Sequence, residues 1–206
     1  MTKIEELLKN EKVEWKKLGE VIDYEQPTKY IVNSTQYDDK FKTPVLTAGQ
    51  TFILGYTNEI EGIYKASKED PVIIFDDFTA SNHWVDFEFK VKSSAMKMLK
   101  PKEGVNLRYC YHYIQTISID TTEHKRLWIS KFSQIEIPIP SDIKIQEKIA
   151  KTLDKFTNYV TELQAELQAE LQARTKQYEY YRNLLLSEEY LNKLSENPEI
   201  LGGGTE

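Results

Sequence analysis

A long run of helical periodicity constrains this chain more than any other feature of its sequence. Between Ser141 and Pro198 there is no glycine or proline, so nothing in the sequence interrupts a helix there. Ser141 or Asp142 can cap the first turn, and Pro198 can end the last one. We therefore predict one long helix over residues 142–197, followed by a flexible, glycine-rich tail over residues 198–206.

Apolar residues recur along this helix at alternating steps of four and three, which is the spacing of a coiled-coil seam. The alternation slips once, at a stutter between Leu167 and Leu171, and resumes from Arg174. The predicted seam, which is also the predicted dimerisation surface, consists of Ile149, Leu153, Phe156, Val160, Leu163, Leu167, Leu171, Tyr178, Tyr181 and Leu185. Such a seam needs a second helix to cover it, and the sequence indicates no other helix of comparable length, so we expect a partner.

Inside the seam, the tetrad Glu-Leu-Gln-Ala occurs three times in succession over residues 162–173. Its composition strongly favours a helix, but a generic amphipathic helix does not require identical tandem units. One tetrad adds about 6 Å of helix at about 1.5 Å per residue. We therefore interpret the number of tetrads as setting a distance.

The chain before this helix is rich in aromatic and β-branched residues and has only short apolar runs. It is predicted to form one α/β (α+β) domain over residues 15–141, with a helical N-terminal extension over residues 1–14. A continuous apolar run over 72–75 is typical of a buried strand, and strict alternation over 84–92 of a half-buried one. We also expect strands at 53–56 and 62–64, a helix over 107–117 and extended chain over 135–140.

The net charge is −6, which argues against a protein that coats DNA without sequence preference. Residues 90–131 nevertheless hold 9 Lys and Arg against 3 Asp and Glu. This basic block is either a local contact surface for an anion or a solvated face that acids elsewhere in the fold balance. Cys110 is the only cysteine, and neither a signal sequence nor a membrane span is recognisable, so we expect a cytoplasmic protein.

No catalytic signature is present: we find no P-loop, no Gly-x-Gly-x-x-Gly, no His-Glu-x-x-His and no methyltransferase motif. We therefore predict no catalytic residue, metal site or cofactor in this chain. One alternative remains, because Asp77, Glu88 and Lys90 follow the spacing of a magnesium-dependent nuclease. The other interpretation of these residues is an exposed strand face.

Recognition residues are the more prominent pattern. Short polar side chains and arginine can read base edges, and lysines can contact phosphates. The predicted DNA-binding residues are Thr47, Gln50, Thr79, Ser81, Asn82, His83, Lys92, Lys97, His124, Lys125, Arg126 and Trp128. For Trp128, burial in the core is the competing interpretation, because aromatic residues dominate protein cores.

Several short motifs then occur in a characteristic order. They are Val13-Glu-Trp15-Lys-Lys-Leu18-Gly19-Glu20, Glu25-Gln-Pro27-Thr-Lys-Tyr30, Val45-Leu-Thr-Ala-Gly49, Ile74-Phe-Asp-Asp-Phe78, Ile137-Pro-Ile-Pro140 with Gln146, and Lys176-Gln-Tyr-Glu-Tyr-Tyr-Arg182. In this order they resemble the specificity subunit of type I restriction–modification systems, in a half-length form with one target-recognition domain and one spacer helix.

The resemblance implies a non-catalytic subunit that reads double-stranded DNA for an adenine methyltransferase complex. Family members carry two recognition domains on two antiparallel helices, so this chain would need a second copy of itself to read a bipartite site. Methyltransferase subunits would bring S-adenosylmethionine, and a restriction motor-nuclease subunit could join. A coiled-coil assembly protein without DNA readout is the remaining alternative.

Overall fold

The computed structural model describes residues 11–47, 51–119 and 126–196. The chain divides into a first unit, Met1–Leu153, and a second unit, Asp154–Glu206. The division falls inside the long helix rather than at residue 141, because the first turns of that helix pack with the globular domain. Among the described residues, no helix combines the length and the apolarity that crossing a bilayer requires.

The strands are β1 (Val13–Lys17), β2 (Ile22–Glu25), β3 (Thr43–Leu46), β4 (Ile53–Thr57), β5 (Val72–Asp76), β6 (Asn82–Val85), β7 (Lys90–Val91), β8 (Met96–Pro101) and β9 (Glu136–Pro140). The α-helices are α1 (Leu18–Val21), α2 (Leu107–Ile114), α3 (Leu127–Ser130), α4 (Ile143–Leu185) and α5 (Glu188–Glu196), and 3₁₀ turns occupy Pro27–Tyr30 and Phe132–Gln134. The mixed α/β domain followed by a long helix confirms the predicted fold class.

Strand β5 is the centre of the domain. It lies in an antiparallel sheet of order β2-β8-β5-β6, and its side chains alternate between two apolar cores. Ile73 and Phe75 belong to one core, whereas Val72 and Ile74 belong to the other. This explains the continuous apolar run in the sequence, since a strand covered on both faces has no polar side.

Two smaller sheets flank the central one. Strand β3 pairs antiparallel with β4 and parallel with β7, and β1 pairs antiparallel with β9. The β1–β9 pair places Val13 opposite Pro140, so the domain includes residues that we assigned to the N-terminal extension. The remainder of that predicted extension, residues 1–10, and the predicted tail lie outside the described residues.

The strand predicted over residues 84–92 is wrong as a single strand. The chain leaves the central sheet after Val85 and enters the second sheet at Lys90. The alternating pattern led to a wrong prediction because Val85, Phe89 and Val91 are all buried although they do not lie on one face of one strand. The strand predicted at 62–64 is also wrong, since only Tyr64 pairs there, through a single bridge to Phe89.

The long helix is shorter than predicted. Helix α4 has 43 residues and ends at Leu185, after which Ser187 starts a separate helix. The Ser187 hydroxyl oxygen accepts a hydrogen bond from the Tyr190 N–H at 3.2 Å, which caps α5. A serine inside a helical pattern therefore acted as a cap. Helix α2 likewise ends at Ile114, earlier than the predicted residue 117.

Gln146 joins the first turn of α4 to the domain. Its side chain is fully buried, and its Oε1 accepts from the Asn106 N–H at 2.8 Å. Its Nε2 donates to the carbonyls of Pro140 at 2.9 Å and Gly104 at 3.2 Å. One amide thus satisfies three backbone groups from two segments, the loop before α2 and the end of β9, which fixes where the helix begins.

We expect Gln146→Ala to lower the free energy of unfolding by about 2–4 kcal/mol, because it leaves buried backbone groups without partners. Urea unfolding of the purified chain measures this loss. Lys148→Ala is the matched control, since Lys148 is exposed on the same helix. A loss of stability no larger than that of the control would contradict the structural role of Gln146.

Candidate DNA interface

The turn between β5 and β6 is held by the side chain of Asp76. Its Oδ1 accepts from the N–H groups of Phe78 at 2.7 Å and Thr79 at 3.0 Å. The turn closes through a backbone bond from the Asp76 N–H to the Ser81 carbonyl at 2.8 Å, and Ala80 adopts a positive φ of 60°. These hydrogen bonds fix the conformation of the turn, which presents Thr79 and Ser81 at the end of the sheet.

Asp77 fastens this turn to a second segment. Its buried carboxylate lies 3.3 Å from the Lys97 Nζ and accepts from the Trp128 N–H at 2.9 Å. Its carbonyl accepts from the Leu127 N–H at 2.7 Å. Arg126, which directly precedes α3 and is exposed, is thereby held beside the turn.

A third loop reaches the same place through an aromatic contact. The rings of Phe52 and His83 stack with centroids 4.2 Å apart, and the Phe52 carbonyl accepts from the Thr47 N–H at 2.9 Å. The Lys92 N–H donates to the Leu46 carbonyl, which brings exposed Lys92 next to Thr47. Burial lowers the pKa of His83 below its usual 6.5, so the ring adds polarity rather than charge near neutral pH.

The structure thus brings together most of the predicted recognition residues that it describes. Thr47, Thr79, Ser81, Asn82, His83, Lys92 and Arg126 lie in segments that converge at one end of the domain. Gln50, His124 and Lys125 lie outside the described residues.

Two predicted DNA contacts have to be corrected. The side chain of Trp128 is 1% exposed and packs edge-on against Phe75 in the core. Lys97 is also 1% exposed, and its charge faces Asp77. A buried side chain cannot reach a phosphate or a base, so neither residue is a DNA contact. Both instead pack beneath the surface and support it.

The described part of the basic block does not form one positive surface. Lys90 is buried against Glu59 at 2.7 Å, as Lys97 is against Asp77. Lys100 pairs with Asp70, and Lys102 lies 3.3 Å from Asp23. Acids from the first half of the chain therefore neutralise these lysines, which favours the second interpretation of the charge pattern.

The nuclease alternative is not supported. Asp77 faces Lys97, Glu88 pairs with Lys65 at 2.7 Å, and Lys90 faces Glu59. The three residues thus have three separate partners instead of a common site. In the described part of the chain, no group of three metal-binding side chains is present.

The predicted seam residues of the second unit are exposed on α4. The exposed fractions of Leu163, Leu167 and Leu171 are 64%, 70% and 58%. Phe156, Val160, Tyr178, Tyr181 and Leu185 are exposed as well. At the start of the helix the situation differs: Ile149 packs partly against the core of the first unit, and Leu153 is at the margin of exposure at 37%.

Three residues near the interface are not among the predicted DNA-binding residues. Phe52 stacks against the ring of His83, and Gln115 donates from its Nε2 to the Asn82 Oδ1. The Arg108 guanidinium lies over the Trp84 ring at 4.6 Å. Local sequence carries no signal for such contacts, since their partners are tens of residues away in the chain.

Comparison with known proteins identifies similar sequences. Residues 10–173 match the family described as the type I restriction modification DNA specificity domain. The chain is 52% identical over 219 residues to the type I restriction enzyme EcoR124I/EcoR124II specificity subunit of Escherichia coli, a match that covers 100% of this chain and 53% of that protein. It is 35% identical over 204 residues to a putative type I restriction enzyme specificity subunit of Haemophilus influenzae, covering 95% of this chain and 51% of that one.

Solved structures show the same fold. The S subunit of a type I restriction–modification system from M. genitalium matches with a TM-score of 0.56 and 17% identity, over 92% of this chain and 50% of that one. A chain from a structure of a type I R-M system matches with a TM-score of 0.59 and 17% identity, over 81% and 43%. The chain spans about half the length of the curated relatives that it matches.

We expect Asp77→Asn to lower the free energy of unfolding by about 3 kcal/mol, because it leaves the buried Lys97 charge without its counterion. The double variant Asp77→Asn/Lys97→Met should recover most of this loss, since it removes the unpaired charge as well. Urea unfolding of both variants measures the effect. Equal stability of the single and double variants would show that the ion pair does not hold this region together.

Proposed function

The chain belongs to the family of type I restriction modification DNA specificity domains, and from this premise we propose that it is the sequence-reading subunit of a DNA methyltransferase complex. Its target would be double-stranded DNA. We expect the chemistry to reside in partner subunits: methyltransferase subunits that bring S-adenosylmethionine and methylate adenine, and in some complexes a restriction motor-nuclease. The contribution of this chain would be the choice of the site.

The observation that carries the proposal is the convergence of three chain segments at one end of the domain. Thr79 and Ser81 on the β5–β6 turn, and His83 at the start of β6, offer hydrogen-bonding groups of the kind that read base edges. Lys92 and Arg126 flank them with exposed positive charge that suits phosphates. Because the turn is held internally by Asp76 and Asp77, little conformational freedom would be lost on binding.

We further propose that two copies of the chain pair through α4. Its apolar face is exposed over several turns, and an apolar stripe of this length is stable only when another helix covers it. The seam spacing is symmetric about Leu167: residues 163 and 171, 160 and 174, 156 and 178, and 153 and 181 are equally distant from it. An antiparallel pair centred on Leu167 would therefore bring every seam position onto another seam position.

This arrangement also explains Arg174, the one charged residue in the seam. In a parallel pair Arg174 would face its own copy, whereas in the antiparallel pair it would face Val160. Its guanidinium already leans away along the helix, with Nε 2.8 Å from Glu170. A twofold pair of this kind would read an interrupted palindrome, and the number of tetrads would help to set the gap between its halves.

We expect Arg126→Ala to weaken DNA binding and to reduce the salt dependence of the affinity, because one phosphate contact per copy is lost. On a plot of log affinity against log salt, the slope should fall by about one per copy. The test uses the reconstituted complex and a duplex that contains the site found by sequencing methylated positions in cells.

Lys68→Ala is the control for this test, since Lys68 is exposed and precedes β5, at the opposite end of that strand from the turn. An unchanged slope in Arg126→Ala would remove Arg126 from the interface. If the complex protects no bipartite site at physiological salt, the proposed function itself fails, and an assembly role for the helix becomes the better explanation.

We expect Leu167→Lys to convert the dimer into a monomer, because it places two charges against each other at the centre of the apolar seam. Light scattering of the purified chain gives the mass directly. Ala165→Lys is the matched control, since residue 165 lies on the opposite side of the helix at about 100° per residue. A wild-type chain that is monomeric, alone and with the methyltransferase subunits, would contradict pairing through α4.

A further inference from the structure

The outer face of α2 continues the surface that the β5–β6 turn begins. Arg108, Tyr111 and Gln115 are spaced three and four residues apart, so they lie on one side of this helix and its last turn. All three are at least partly exposed. Gln115 lies at the end nearest the turn, as its hydrogen bond to Asn82 shows.

Asn82 and Gln115 form a fixed pair of side-chain amides. The Asn82 Nδ2 donates to the Ala80 carbonyl at 3.1 Å, and its Oδ1 accepts from the Gln115 Nε2. Asn82 is thus held from both sides, and it in turn orients Gln115 beside the turn. An amide whose direction is fixed before binding discriminates better than a freely rotating one, because a wrong partner cannot be accommodated by rotation.

Arg108 lies seven residues before Gln115, and two aromatic rings support its side chain. Its guanidinium lies 4.6 Å from the centroid of the Trp84 ring and 5.0 Å from that of Tyr111. The two rings contact each other edge-on at 5.8 Å and pack against the core of the first unit. The aromatic support holds the cation at the partly exposed surface, and a guanidinium has five N–H donors, a geometry that suits a phosphate.

We propose that α2 is a second recognition element, in which Gln115, positioned by Asn82, reads a base edge and Arg108 contacts the neighbouring phosphate backbone. This inference rests on the proposed function, since it extends the same DNA surface. The seven residue steps from Arg108 to Gln115 span about 10 Å along the helix axis. That span is close to the width of about 12 Å of the major groove, so one residue can lie at the bases while the other lies at the rim.

Glutamine suits adenine in particular, because an amide can donate to N7 and accept from N6 of that base. We therefore expect the base pair read by Gln115 to be an A·T pair within the half-site. The role of Asn82 is to position Gln115, and its loss should alter the same base pair rather than a different one.

The test compares variants in the reconstituted complex on a panel of duplexes, each with one base pair of the half-site changed. Gln115→Ala should lose about tenfold or more of the discrimination at a single position and keep it elsewhere. Asn82→Ala should affect that same position. Arg108→Gln should weaken binding equally on all duplexes and lower the salt slope by about one per copy.

Thr116→Ala serves as the control, because Thr116 is exposed next to Gln115 and its hydroxyl donates to the Tyr113 carbonyl within the helix end. Uniform weakening by Gln115→Ala, or a salt slope unchanged by Arg108→Gln, would overturn the inference. Either result leaves the proposed function intact as long as the wild-type complex still selects its bipartite site. Absence of any site selection by the wild type would instead refute the proposed function.

Discussion

The buried carboxylate of Asp77 is the interaction on which the candidate interface depends. It joins the end of β5 to β8 through Lys97 and to the start of α3 through the Trp128 N–H. Removing two charges from water is costly, and the geometry here offsets that cost with a direct ion pair and a backbone hydrogen bond. These contacts of Asp77 keep the turn of residues 77–81 and the segment at Arg126 in one relative position. The surface is therefore held in its final form by groups that never reach it.

Charges elsewhere in the domain are also paired. Most lysines of the basic block are matched by acids from earlier in the chain, and two of them are buried. Among the described residues near the turn, Lys92 and Arg126 carry exposed positive charge. A surface with few cations gains little from nonspecific attraction to DNA, so a larger share of its affinity must come from matched contacts. This agrees with the proposed role of choosing a DNA site.

The two units solve the burial of apolar surface in different ways. The first unit encloses its apolar residues in two cores on either side of the central sheet. The second unit contains the rest of α4 and α5, and the apolar face of α4 is exposed there, which is the face that we propose a second copy covers. Ile149 marks the change, because it still packs on the first core while the next seam residues are increasingly exposed. Assembly would thus complete the hydrophobic burial that folding begins.

Local pattern in the sequence determined the elements whose geometry depends on near neighbours. The long helix, its seam and tetrads, the doubly buried strand β5 and the extended β9 all follow from periodicity, capping and proline, and the ordered motifs identified the family. Only the tertiary structure decided that residues 84–92 change sheets, that Ser187 caps a separate helix, that Lys97 and Trp128 face inward, and that Asn82 meets Gln115. Most of these outcomes depend on partners far away in the chain, such as Asp77 for Lys97 and Gln115 for Asn82. A periodicity reports which side of an element is apolar, but burial and pairing are decided by what another segment brings to that side.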